Sequence, residues 1–265
     1  MNAHDFPHLP FSAMHRALVS VVAALVTVAA QGAPLDDMVA LDAVYIPALA
    51  MTTAAAQDAA FAPKARASLA ALRSQWPALK QALALTWGTK VPAGWSHALA
   101  STGRHIEAAS GAASQSDWKH AHDALEPVRI DLMKVRQRHG LDYFVDRLTA
   151  FHEPMEQLAQ AGSTWQPSAL DATHQAELER AYAHARTLWR GIEGQSVDPK
   201  QYGLSLARAT QLRKAIDEVS AALAQLSDAL RGDDKVRVLK AAAAIKSPFA
   251  RAFMAFGQPA TQTAQ

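Results

Sequence analysis

Residues 121–158 read AHDALEPVRIDLMKVRQRHGLDYFVDRLTAFHEPMEQL, and this stretch decides the fold. Ala121, Leu125, Val128, Leu132 and Val135 recur at three- and four-residue steps, and Phe144, Leu148, Phe151, Met155 and Leu158 do the same after Gly140. That spacing puts each set on one stripe of a helix. A glycine between two such stripes marks a helix end. The stretch therefore predicts two helices packed antiparallel across a turn at Gly140.

Along the rest of the chain the same pattern repeats, and strict alternation appears nowhere. Leu69, Leu72, Trp76, Leu79 and Leu83 form one stripe, and Trp95, Leu99, Thr102, Ile106 and Ala109 another. The longest is Leu212, Ile216, Val219, Leu223, Leu226 and Leu230. Breaks are expected at Ala62-Pro63, 87–94, 110–116, Gly140, 162–168, 194–199 and Gly232-Asp233. An all-α protein of about eight helices follows, with short connections of the kind that join antiparallel bundle neighbours.

Comparing the chain with itself suggests a tandem duplication of a four-helix antiparallel unit. Leu41, Ala43 and Pro47 match Leu148, Ala150 and Pro154; Trp76 matches Trp189; Pro127, Leu132 and Met133 match Pro248, Phe253 and Met254. The order is kept, with the second copy longer. The expected division is a signal peptide over 1–33, a first repeat over 34–139, a second over 140–257, and a disordered tail over 258–265. Pro47, Pro127, Pro154 and Pro248 lie inside apolar stripes, so kinked helices are expected.

Ala17 to Ala30 is a 14-residue uncharged apolar run, preceded by His15 and Arg16 and followed by small residues. This is the layout of a secretory signal, with Met14 where such a signal normally starts. An uncleaved anchor is the alternative, although about 20 apolar residues are usual for a span. The expected location is the periplasm or outside the cell, with no membrane contact after signal cleavage. The net charge of +2 without a basic cluster argues against nucleic acid as a partner. The absence of cysteine in all 265 residues excludes disulfides, thiolate metal sites, thiol nucleophiles and covalent haem attachment.

Two polar pairs stand out. His122/Glu126 and His152/Glu156 each have i, i+4 spacing, while the matching positions of the other copy hold Ala243/Ser247 and Tyr45/Leu49. A turn at Gly140 would bring the pairs level, as ligands for a transition metal such as copper or iron, with Asp146 and Glu153 as further oxygen donors. The plain alternative is a Glu126–Arg129 ion pair, a half-buried His152, and a solvated face of Asp142, Asp146, Thr149, Glu153 and Glu156. Met38 and His139 occupy places where a bundle can ligate noncovalent haem. HExxH, GxSxG and a phosphate-binding glycine loop are absent, so no enzyme is expected. In layout, a signal before duplicated four-helix bundles resembles the imelysin-type periplasmic proteins, some linked to iron uptake. Their GxHxxE motif is missing here and the mature chain is short for them. A binding module for a metal ion or an unknown periplasmic protein is the expectation.

Overall fold

A computed structural model describes residues 32–257. The signal-like run and the tail after Gly257 lie outside the described residues. The helices are α1 (Gly32–Gln57), α2 (Ala62–Leu85), α3 (Trp95–Ser114), α4 (Trp118–Arg138), α5 (Phe144–Thr164), α6 (Ala172–Glu193), α7 (Leu206–Leu230), α8 (Lys235–Ala243) and α9 (Lys246–Met254). Among the described residues there is no strand. Only Ala244 and Ile245 separate α8 from α9, so the pair serves as one eighth helix.

The helices close two rings. In the first, α1 packs on α2 and α4, and α3 packs on α2 and α4; in the second, α5 packs on α6 and α8–α9, and α7 packs on the same two. The rings meet where α4 touches α5 and α9 touches α1. Each apolar stripe becomes core: Trp95, Trp189, Leu72, Leu83, Leu125 and Phe151 are all buried.

Gly140 ends α4 as the sequence requires. Its φ is +70°, the Leu141 N–H donates to the Arg136 carbonyl at 3.1 Å, and its own N–H donates to Gln137 at 3.1 Å. This is the Schellman arrangement, which a residue without Cβ adopts without strain. Asp117, Asp171, Ser205 and Asp234 cap α4, α6, α7 and α8 through side-chain oxygens.

The break expected at Ala62-Pro63 is found: α1 ends at Gln57, and Pro63 opens α2, where the first turn needs no proline N–H. Two expectations are corrected. Pro248 does not kink a continuous helix: the helix stops at Ala243, and the proline sits in the first turn of α9. Pro47, Pro127 and Pro154 do lie inside their helices, as does Pro77. The break expected over 162–168 starts only at Trp165, so Gly162 is still helical. It lies within α5 against α8, where an added Cβ would stand 2.4 Å from the Ala243 nitrogen and 2.5 Å from the Leu239 carbonyl oxygen.

Backbone cannot yield as a side chain can, so Gly162→Ala is expected to destabilise by about 2–3 kcal/mol or more. Gly111→Ala, in α3 with nothing within 4 Å of the new methyl, is expected to stabilise by about 0.5–1 kcal/mol. Urea unfolding of the two variants checks both signs.

Candidate functional site: a polar seam between the bundles

A bundle core fills with apolar side chains; charge is tolerated inside only where it is paired. The buried charged residues among those described are Arg129, Arg136 and Asp146. All three lie where the two rings meet. Arg129 and Arg136 are seven residues apart on α4, and so share one face, beside the core stripe.

At one level of the seam, Arg136 Nε donates to Asp146 Oδ2 at 2.9 Å, and Nη2 bonds the other carboxylate oxygen. Nη1 approaches Met38 Sδ at 3.3 Å, and the guanidinium lies 5.0 Å over the Tyr143 ring. The Tyr143 hydroxyl donates to Asp42 Oδ2 at 2.6 Å, and its ring stacks on Tyr202 at 5.6 Å. Tyr202 in turn accepts the Phe144 N–H at 3.0 Å. Residues from α1, α4, α5 and the 194–205 connection are thus tied into one network. Burial pushes the Asp42 carboxyl up to about 6, against the hydrogen bond from Tyr143 and the charge of Arg136. Burial also raises the Tyr143 phenol well above its ordinary value.

Two turns along, Arg129 bridges the expected ligand pairs. Its Nε donates to Glu126 Oε2 at 3.1 Å, and Nη2 bonds the same oxygen. That Nη2 also donates to His152 Nδ1 at 2.7 Å. An acceptor Nδ1 requires a neutral ring with its proton on Nε2. Burial, then the charges of Arg129 and Lys246 and the neighbouring His122, push His152 down to about 3. The Arg129 guanidinium lies 5.7 Å over Phe253, and the His152 ring 5.8 Å from Phe249. His122 Nδ1 stands 2.8 Å from Thr53 Oγ1 and 3.3 Å from the Leu49 carbonyl, and its Nε2 3.4 Å from Glu126 Oε1.

The structure therefore brings His122, Glu126 and His152 together, around a guanidinium. Glu156 is drawn away to Lys246 Nζ at 2.6 Å, and Glu153 is exposed. Among the described residues no three His, Cys, Asp or Glu side chains converge as a metal site requires. The expected haem pair also has separate partners. Met38 is buried against Arg136, whereas His139 is exposed, its Nε2 3.4 Å from the Ala93 carbonyl.

The Glu126–Arg129 pair is seen as the plain reading had it, and the solvated face of α5 is seen in part: Asp142 and Glu153 are exposed and Glu156 is half-buried. Asp146 and Thr149 are buried, because there the face turns into the seam. Arg136, Asp42, Tyr143 and Tyr202 were missed altogether. The Arg129/Arg136 spacing was the available signal: two cations sharing a face beside a core stripe.

Comparison with protein-family models, with curated proteins and with solved structures found no match. Function is therefore read from the geometry alone.

The two shifted groups act in opposite directions with pH. His152 gains a proton on unfolding between its ordinary 6.5 and about 3, so its contribution is complete above 6.5 and is lost as pH falls through that window. Asp42 binds its proton more tightly when folded, so its contribution is complete below 3.8 and is lost as pH rises through about 6. Asp42→Asn is expected to match wild type near pH 4 and exceed it by about 2 kcal/mol near pH 8. His152→Gln keeps an acceptor for Arg129 and is expected to flatten the acid loss below pH 6. Urea unfolding across pH checks both; a constant difference between wild type and variant contradicts these assignments.

Proposed function

We propose that this chain works outside the cytoplasm as a non-catalytic binding module, its two bundles held together by the seam and its outer helix grooves offered to a protein partner. The observation that carries this is Arg129. It binds Glu126 and His152 at once, so the groups best suited to chemistry are engaged with each other inside the fold. The outer grooves remain. That between α2 and α3 has Leu69, Ala70, Pro77 and Ala113 along it and Arg66 and Arg73 at its rim. Export rests on the apolar run Ala17–Ala30.

We also read the two halves as copies. The matched prolines and tryptophans support this, and so does the junction: under the repeat correspondence α4 equates with α8–α9 and α1 with α5. The α4–α5 contact then equates with the α9–α1 contact, as in a two-fold dimer fused into one chain.

A metal-binding reading stays second, because His122, Glu126 and His152 already surround one cation. Titration of copper, iron and zinc ions into the chain from Pro34 onward separates the two. No stoichiometric binding is expected. One equivalent bound by wild type and lost on combining His122→Ala with His152→Ala would establish the metal site instead. Photo-cross-linking from position 70 in exporting cells is expected to trap one discrete protein. Absence of any adduct from either wall of that groove contradicts docking there.

A further inference from the structure

Folded chains keep large apolar side chains off their surface unless something covers them, and isolated exceptions carry no meaning. Among the described residues the strongly exposed large hydrophobics are Leu85 (70% exposed), Val91 (44%), Leu206 (82%) and Val236 (61%). Their placement is not scattered. Leu85 ends α2, Val91 lies in the connection that follows, and Leu206 opens α7, whereas Val236 is at the start of α8. In antiparallel bundles those addresses put the first three at one end and Val236 at the other.

Contacts around the start of α1 establish that end directly. Thr86, next to Leu85, bonds Asp37 of α1. A Cβ at Gly203, three residues before Leu206, would lie 3.7 Å from Val39 of α1. His139 at the end of α4 reaches Ala93, two residues beyond Val91. The apolar run Ala17–Ala30 enters α1 after a single residue, Gln31, so at most about 7 Å of chain separates Ala30 from Gly32. A bilayer that holds the run therefore meets this end of the bundles.

We propose that the end formed by Leu85, Val91 and Leu206 is a lipid-contact surface, resting on the bilayer into which the apolar run inserts. It goes beyond the docking reading and rests on that run entering a membrane and staying attached to the chain, the uncleaved-anchor alternative. The exposed charges at this end are mixed: Lys90, Arg138 and Lys200 against Asp36, Asp142 and Asp198. Attraction to anionic headgroups is therefore slight and contact rests on apolar burial. Three side chains bind weakly alone, and a tether supplies the effective concentration that makes the contact persist.

The absence of native cysteine makes the test clean. Leu85→Cys, Val91→Cys, Leu206→Cys and Val236→Cys are each labelled with an environment-sensitive fluorophore. The chain from Pro34 is tethered by an N-terminal histidine tag to nickel-chelating vesicles of phosphatidylcholine, with or without phosphatidylglycerol. Blue-shifted emission is expected at 85, 91 and 206, unchanged at 236, and little altered by phosphatidylglycerol. No shift at the first three, an equal shift at 236, or a shift that appears without vesicles as protein concentration rises overturns the proposal. The last outcome would make a second copy the occupant. The experiment contains no protein partner, so its failure leaves the docking reading untouched.

Discussion

Two guanidinium groups on one face of α4 are taken out of water where the bundles meet, and the seam is arranged around them. A buried arginine without a carboxylate costs several kcal/mol. Arg136 has Asp146 on α5 and, through Tyr143, Asp42 on α1; Arg129 has Glu126 on its own helix and His152 on α5. Separating the bundles would uncouple Arg136 from Asp146 and Arg129 from His152. Apolar surface alone would hold the bundles together without fixing their register. The paired charges select one arrangement by penalising the others.

The helices were legible because each has an amphipathic stripe and is bounded by a recognisable break. Gly140 acts as such a residue does anywhere. The same local rules misread Gly162 and Pro248. The glycine is required by the approach of the α8 backbone, a tertiary fact with no local trace. The proline is harmless because its helix had already stopped.

The site was half legible. His122, Glu126 and His152 do meet, since spacing about the turn fixes their level along the bundle. Whether they meet around a metal ion or a side chain depends on which way Arg129 points, and spacing is silent on that. The Asp42–Tyr143–Arg136–Asp146 network was invisible for a related reason. Its members come from three segments separated by as many as 104 residues (42 to 146), and each alone reads as an ordinary surface residue. The polar face of α5 reads as solvated throughout; Asp146 is buried within it because Arg136 of α4 supplies the counter-charge.

If the Arg136–Asp146 pair locks the bundles, a double-mutant cycle with Arg136→Met and Asp146→Leu shows it. Each single change should strand a buried charge and cost about 3–5 kcal/mol in urea unfolding, with the double variant more stable than either. The coupling should be at least about 2 kcal/mol. Single losses under about 1 kcal/mol that simply add would contradict the claim, and would leave the bundles joined by apolar packing alone.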